Sequence, residues 1–203
     1  TLLDVHENGI VTPEQVADAI REDTALVTIM YANNEIGTIQ PIREIGALAH
    51  RYGATFTVDT TSTLAMRPID VERDNIDFCM ASAQKGLQAM TGLSFIIGRT
   101  ELIKASAHYP KRSYYCNLFL QYDYFEKTGQ MHFTPPVQTI YAAIQALKEY
   151  GFTEITDGFG IRAFTTRFTR GSPIWDSKHC CPEKWKVVSL FPFFIPMTPT
   201  GIS

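Results

Sequence analysis

ATFTVDTTSTLAMRPIDVERDNIDFCMASAQK, residues 54–85, contains two short apolar runs that each lead to a chemically useful side chain. The first run, 54–58, ends at the carboxylate of Asp59, and the second, 76–81, leads through small polar residues to Lys85. Ligands of open α/β sheets bind just beyond the carboxyl ends of the strands. The stretch therefore predicts two strands that bring an acid and an amine to the edge of a sheet where binding sites form.

Before this stretch, the chain alternates between helical and strand patterns. A first helix is predicted after Thr12, which forms a capping box with Gln15. The nearly continuous apolar run 25–31 predicts a strand buried on both faces. Pro41 then opens a second helix, which Gly53 ends.

After the lysine, residues 93–97 predict a strand that follows too closely for a crossover helix, so we expect it to pair antiparallel. Four further segments have helical patterns or helix boundaries: 71–73, 100–105, 134–151 and 160–170. This order of elements predicts an α/β fold, with a mainly parallel sheet and flanking helices.

Two regions show no regular period. Residues 107–133 are polar and aromatic, and two interpretations stay open: a subunit interface or a packed connecting loop. Residues 172–203 contain prolines that exclude a long helix or a central strand, and they are too apolar for a disordered tail. A shifted reading frame is one hypothesis for them. We divide the chain into a partial large domain (1–150), the helical start of a small domain (151–171) and an atypical tail (172–203).

The composition excludes several classes of protein. Among 203 residues, 45% are hydrophobic and 19% are charged, as in ordinary globular proteins. A net charge of −3 gives no electrostatic case for binding nucleic acid or anionic membranes. No apolar run approaches the roughly 18 residues of a membrane span, and the first residues lack the pattern of a secretory signal. We expect a cytoplasmic protein and, because no initiator Met is present, a fragment or processed product.

The four cysteines are too few and too irregularly spaced for a disulfide framework. Cys79 lies within an apolar run and is predicted to be a small core residue. The triplet His179-Cys180-Cys181 has no second ligand pair at a suitable spacing, so no metal site is predicted.

These patterns resemble the class V branch of the fold-type I pyridoxal-phosphate enzymes. Lys85 follows Asp59 by 26 residues, a spacing that this family keeps in both its aminotransferases and its cysteine desulfurases. Several segments are similar to 2-aminoethylphosphonate–pyruvate transaminases: 45–53, Val58-Asp59, 75–77, 82–85 with Gln88, Arg112-Ser113 and 133–135. In contrast, 33–37 with Asn8-Gly9-Ile10 is similar to cysteine desulfurases. The resemblance covers about residues 5 to 170.

The resemblance implies pyridoxal 5'-phosphate as the cofactor, with two residues at the centre of its chemistry. Lys85 would form a Schiff base with the cofactor and carry the proton during the reaction. Asp59 would pair with the protonated pyridine nitrogen, which keeps the ring an electron sink. The plain alternatives are a solvated surface lysine and an aspartate in a turn at a strand end.

The resemblance implies four further cofactor contacts. Asn34 would donate to the phenolic oxygen, although Asn33 competes for this role and either is a common turn residue. Ser82 and Gln84 would bind the phosphate. Thr134 would reach the phosphate of a neighbouring subunit in a homodimer, but a Thr before Pro-Pro is also a good helix N-cap.

The implied activity is transfer of an amino group from 2-aminoethylphosphonate, or a similar small amine, to pyruvate. Gln84 favours this activity, because desulfurases of this class usually have His before the lysine. A cysteine desulfurase is the alternative, favoured by 33–37, but neither Cys180 nor Cys181 lies in the context of a persulfide-forming cysteine. A third possibility is an inactive fragment without a complete site.

Several parts of the family pattern are not found in the sequence. The glycine- and threonine-containing phosphate loop and the ring-stacking aromatic residue would precede Thr1, and the arginine that binds the substrate acid is not assigned. Arg112 and Arg162 are candidates for it by charge alone. We therefore expect this chain to retain the cofactor weakly or not at all.

Overall fold

The computed structural model describes residues 1–149 and the backbone of a strand at 185–190. Five strands form one sheet in sequence order: β1 (Leu26–Met30), β2 (Thr55–Asp59), β3 (Phe78–Ser82), β4 (Ser94–Arg99) and β5 (Trp185–Leu190). β1, β2 and β3 are parallel, whereas β4 is antiparallel to β3 and β5 is antiparallel to β4. Four of the five strands therefore point the same way. The predicted mainly parallel sheet and the antiparallel pairing of 93–97 are confirmed.

Five α-helices connect or flank the strands: α1 (Pro13–Ala19), α2 (Ile42–Arg51), α3 (Thr100–Ala105), α4 (Leu118–Thr128) and α5 (Val137–Glu149). The capping box of α1 is present, because Thr12 Oγ1 accepts from Gln15 N and Gln15 Oε1 accepts from Thr12 N. After α2, Gly53 takes a left-handed φ of 74°, which lets the chain turn directly into β2. In the described part of the chain, no helix is long and apolar enough to cross a membrane.

The core lies on one face of the sheet, where alternate residues of the three central strands are buried. These residues are Phe56, Val58, Cys79, Ala81, Phe95 and Ile97. Helix α2 covers part of this face with Ile45, Leu48 and Ala49. Each fully buried large side chain contributes about 1.5–3 kcal/mol relative to an exposed one. Cys79 is 2% exposed, so its predicted place in the core is confirmed.

Close packing holds α2 against the sheet. A Cβ on Gly46 would lie 2.8 Å from the Asp74 carbonyl oxygen and 2.8 Å from Phe56 Cδ1. Any side chain there would push α2 away from β2 and from the connection that precedes β3. Larger residues at position 46 are therefore incompatible with this layer spacing.

The expectation that 25–31 is buried on both faces is wrong. Among the strands of the described residues, β1 lies at one side of the sheet, and Leu26 and Met30 are 55% and 37% exposed. An apolar run indicates that a strand prefers burial, but it does not determine how many neighbours the strand has.

The predicted helix at 71–73 is also absent: the segment forms turns, within which Asp74 N donates to Asp70 O. Asp70 and Asp74 draw the chain into a compact turn instead, because their carboxylates accept from the Glu72, Arg73 and Asp70 amides. Strand β3 accordingly begins at Phe78, two residues later than predicted.

Two elements were not predicted. Helix α4 lies inside 107–133, where Asn117 Oδ1 caps the Leu120 amide and Gly129 ends the helix with a φ of 68°. Its amphipathic period is weak, since its buried residue is the polar Gln121. Strand β5 lies inside 172–203, at an edge of the sheet.

Three predictions lie outside the described residues: the end of α5 at Gly151, the helix at 160–170 and the triplet 179–181. The domain boundaries and the reading-frame hypothesis also stay predictions.

Candidate functional site

Three loops meet where β1, β2 and β3 end, and together we call them the carboxyl edge: residues 31–40, 59–68 and 82–93. The strand register places Asp59 between Met30 and Met80. The hydrogen bonding continues beyond the strands, since Tyr31 N donates to Asp59 O and Thr60 N to Met80 O, both at 2.8 Å. The parallel pairing thus brings the acid and the lysine loop to one side of the molecule, as the sequence predicted.

Asp59 is half-buried and only partly engaged. Its Oδ1 accepts a 2.8 Å hydrogen bond from the Thr61 amide, which orients the carboxylate. Among the described residues, no hydrogen bond or ion pair to Oδ2 is found. One oxygen therefore fixes the side chain while the other is open to a cationic N–H group.

Lys85 is exposed, but the loop that carries it is anchored. Ala83 N donates to Leu93 O and Ala89 N donates to Ala83 O, both at 2.9 Å, which closes the loop at its base. Ala83 and Leu87 are buried beneath it. The amine is thus presented to solvent from a loop whose backbone is held at both ends.

The lysine loop and the acid loop touch through a glycine. A Cβ on Gly86 would overlap the carbonyl oxygen of Leu64 and would lie 2.9 Å from Met66 Cγ. Ala65, between these two residues, has a left-handed φ of 66°, and Gln88 in the lysine loop has a φ of 56°. Left-handed conformations of non-glycine residues cost about 1–2 kcal/mol and persist where the surroundings impose them.

The structure separates the roles of the two candidate asparagines. Asn33 Oδ1 accepts from the amides of Glu35 and Ile36, at 2.9 and 3.0 Å, so this side chain builds the turn. Asn34 is exposed, and its side chain has no hydrogen bond to another described residue. Asn34 is therefore the asparagine available to a ligand.

A buried clip holds the Asn34 loop in place. Gln40 accepts from Val11 N and donates to Gly9 O, at 2.9 and 2.8 Å. A Cβ on Gly9 would lie 2.5 Å from Ile36 Cδ1 and 2.8 Å from Thr38 Oγ1. The sequence did not predict these contacts of Gln40 and Gly9, although Asn8-Gly9-Ile10 and 33–37 are both similar to segments of cysteine desulfurases.

Two more of the predicted cofactor residues, Ser82 and Gln84, lie at the same edge, and Thr134 lies before α5. Ser82 is half-buried at the end of β3, paired with Ser94, and Gln84 is exposed in the lysine loop. Thr134 is exposed, and α5 begins three residues later at Val137, so Thr134 is not the N-cap of this helix. The first turn of α5 approaches the start of β4, since a Cβ on Gly92 would lie 3.3 Å from Thr139 Oγ1.

A buried ionic network that the sequence did not predict lies at the amino ends of the strands, opposite the carboxyl edge. The carboxylate of Asp77 contacts His50 Nε2 at 2.9 Å, the Phe56 amide at 2.8 Å and Arg99 Nε at 2.8 Å. The Asp77 side chain is 6% exposed. This acid is fully engaged by its own chain and so stabilises the fold.

The fold matches part of the fold of fold-type I pyridoxal-phosphate aminotransferases. It is shared with the pyridoxamine-pyruvate aminotransferase of Mesorhizobium loti, at 25% identity and a TM-score of 0.63, over 70% of this chain and 37% of that one. The chain belongs to the class-V aminotransferase family, whose model matches residues 1–158. Members of this family are pyridoxal-phosphate enzymes.

Two curated relatives show how this chain compares with named enzymes. It is 46% identical to the putative cysteine desulfurase IscS 1 of Bacillus subtilis over 96 residues, or 47% of this chain and 25% of that protein. It is 36% identical to the 2-aminoethylphosphonate–pyruvate transaminase of Salmonella heidelberg over 124 residues, or 61% of this chain and 34% of that protein. The chain thus spans a quarter to a third of the length of these relatives.

The donors and acceptors at the carboxyl edge fit the cofactor of the family. The open oxygen of Asp59 suits a protonated ring nitrogen, and the exposed amine of Lys85 suits a carbonyl carbon. The hydroxyl of Ser82 and the amide of Gln84 suit a phosphate. These groups lie on two adjacent loops that are tied together by hydrogen bonds and close contacts.

Proposed function

We propose that this chain forms part of the active site of a pyridoxal-phosphate-dependent aminotransferase that moves an amino group from 2-aminoethylphosphonate, or a similar small amine, to pyruvate. The observation that carries the proposal is the placement of Asp59 and Lys85 beyond the carboxyl ends of adjacent parallel strands, in loops that touch. Asp59 and Lys85 are 26 residues apart, which is the spacing that the resemblance implies, and the chain belongs to the class-V family.

When bound, the cofactor supplies an electron sink that stabilises negative charge on the substrate carbon next to the amino group. Lys85 Nζ would bind the carbonyl carbon of the cofactor and, once released from it, would carry the proton from the substrate carbon next to the amino group to that cofactor carbon. Asp59 Oδ2 would stabilise the positive charge on the ring nitrogen, while Thr61 N orients the carboxylate through Oδ1. Asn34 would donate to the phenolic oxygen, and Ser82 and Gln84 would hold the phosphate.

Thr134 is proposed to contact the cofactor phosphate of a partner subunit. Its exposure and its position outside the helix cap leave its hydroxyl available. A homodimer is proposed with it. Arg112 is exposed and stays a candidate for binding the substrate acid by charge, whereas Arg162 lies outside the described residues.

Gln84 supports a transaminase rather than a desulfurase. It occupies the position before Lys85 where desulfurases of this class usually have His. The match to the transaminase relative also extends over more of this chain than the match to the desulfurase relative, 61% against 47%.

Covalent capture tests the proposed cofactor site. The chain is mixed with saturating pyridoxal 5'-phosphate, reduced with borohydride and digested, and the labelled lysine is identified by mass spectrometry. We expect the label on Lys85 above all other lysines, and its loss in Lys85→Arg. Lys111→Arg, at another exposed lysine, is the matched control and should leave the labelling unchanged. Equal labelling of all exposed lysines would contradict the proposal.

A cysteine desulfurase is the second candidate, favoured by 33–37 and by the 46% identity to IscS 1 over 96 residues. The substrate assay uses a full-length class-V protein that contains this chain. We expect phosphonoacetaldehyde from 2-aminoethylphosphonate with pyruvate, and no sulfide from cysteine. Sulfide alone would select the desulfurase, and failure of that protein to bind the cofactor would support an inactive chain.

A further inference from the structure

We propose that Gly86 is a positioning residue that joins the acid loop and the lysine loop into one unit and so sets the position of Lys85 relative to Asp59. The inference rests on the proposed function, because it assigns the pair a joint role in capturing the cofactor. It concerns backbone packing between the two loops rather than a contact with the cofactor itself.

The first support is steric. The missing side chain of Gly86 leaves room that the Leu64 carbonyl fills, and Met66 Cγ lies 2.9 Å from where a Cβ would be. A carbonyl oxygen belongs to the backbone and cannot rotate aside as a flexible side chain does. Even a methyl group at position 86 would therefore push the two loops apart.

The second support is the state of the two loops on either side of this contact. Ala65 and Gln88 both have left-handed backbone φ values, of 66° and 56°. Residues with a side chain persist in this conformation where their surroundings impose it. Leu64 and Leu87 are buried, at 2% and 1% exposure, so each loop is anchored to the core beneath the contact. The loops cannot separate freely without moving buried side chains.

The third support is the position of the contact next to the proposed chemistry. Gly86 directly follows Lys85, and the acid loop turns back to Asp59 through the Thr60 carbonyl, which accepts from Leu64 N at 2.7 Å. Thr60 N and Oγ1 both donate to Met80 O, which ties the acid loop to the strand that leads to Lys85. Movement at Gly86 therefore changes the separation of the amine and the carboxylate.

A double-mutant cycle on covalent capture tests this coupling, using Asp59→Asn, Gly86→Ala and the combined variant in the 203-residue chain. We expect Asp59→Asn to slow borohydride-trapped labelling of Lys85 in the parent chain. In the Gly86→Ala background, the reduction in labelling rate caused by Asp59→Asn should be smaller by about threefold or more, because substitutions at residues that act jointly do not have additive effects. The matched control is Gly98→Ala, which creates a similar overlap with the Phe78 ring at the opposite edge. It should leave the effect of Asp59→Asn unchanged.

Amide hydrogen exchange without cofactor gives an independent measure of the joined loops. Gly86→Ala should accelerate exchange at both Met66 and Gln88, whose amides bind the carbonyls of Thr63 and Lys85 at 2.9 Å, whereas Gly98→Ala should not. Additive effects in the cycle, or faster exchange in the lysine loop alone, would overturn the inference. Labelling of Lys85 no faster than that of Lys111 in the parent chain would contradict the proposed function instead, and hydrogen exchange would then decide the inference by itself.

Discussion

Asp59 lies at the carboxyl end of a strand and Asp77 at the amino end of the neighbouring strand, and the two acids differ in how many groups contact their carboxylates. Asp77 is buried and contacts His50, Arg99 and the Phe56 amide. Asp59 is half-buried, and the one described hydrogen bond of its side chain comes from the Thr61 amide. Both acids adjoin strands, so the sequence pattern around them is alike.

The difference separates an acid whose partners all lie in its own chain from an acid that is available to a ligand. Burying a charge is costly unless partners compensate it, and Asp77 has these partners within its own chain. A carboxylate with an open oxygen at the carboxyl end of a strand is instead available to a ligand. Four predictions test this contrast, beginning with the largest expected effect.

Asp77→Ala should lower the free energy of unfolding by about 2–3 kcal/mol, below the ~3–5 kcal/mol typical of a broken buried pair, because His50 and Arg99 keep some access to water. Urea denaturation followed by circular dichroism measures it. Asp123→Ala is the control, since its ion pair with Lys127 is exposed and should contribute under about 1 kcal/mol. Equal losses in the two variants would remove the structural role of the Asp77 network.

Asp59→Asn should leave stability nearly unchanged, because an amide oxygen still accepts from the Thr61 amide. It should slow covalent capture of pyridoxal 5'-phosphate at Lys85 by about tenfold, since the charge opposite the ring nitrogen is lost. Asp77→Asn serves as the comparison and should alter stability but not capture by the folded protein. Unchanged capture in Asp59→Asn would place the ring nitrogen elsewhere.

Asn33→Ala should destabilise the protein by about 1 kcal/mol, because the Glu35 and Ile36 amides both lose their acceptor in a partly exposed turn. Asn34→Ala should change stability by less than about 0.5 kcal/mol, as expected for an exposed side chain without such contacts, but should weaken cofactor binding. Chemical denaturation and cofactor titration of the two variants separate the effects. The reverse assignment would make Asn33 the ligand.

Thr134→Ala should have the smallest effect. Its free energy of unfolding should stay within about 0.5 kcal/mol of the parent value, because α5 begins three residues after Thr134. Asn117→Ala is the matched control at a true N-cap and should cost about 1 kcal/mol. Thermal unfolding of both variants gives the comparison. A loss of about 1 kcal/mol in Thr134→Ala would restore the capping role.

The helices and strands that sequence patterns identified best have strong local determinants. The Thr12–Gln15 capping box and the short connection after Lys85, which requires an antiparallel strand, both depend on neighbours in sequence. Helix α4 was missed because its apolar side chains do not form one stripe, and the turn at 71–75 was misread because Asp70 and Asp74 accept from local amides.

The residues of the candidate site also fall into two groups: those that the sequence predicted and those that only the tertiary structure showed. Strand ends and the family resemblance predicted Asp59, Lys85 and a choice between Asn33 and Asn34. The tertiary structure then decided which asparagine is free and showed that Thr134 does not cap α5. It also added Gly86 and the Gln40 clip, which act through contacts 20 to 31 residues apart in the chain.

The sequence by itself determined that an acid and an amine follow two neighbouring strands of an α/β sheet, because strand patterns and polar ends are local properties. Only the tertiary structure decided that Asp77 is satisfied while Asp59 is open, that β1 lies at one side of the described sheet and that the two site loops touch at Gly86. These facts depend on which distant groups meet in space. The periodicity of a single segment does not encode such contacts.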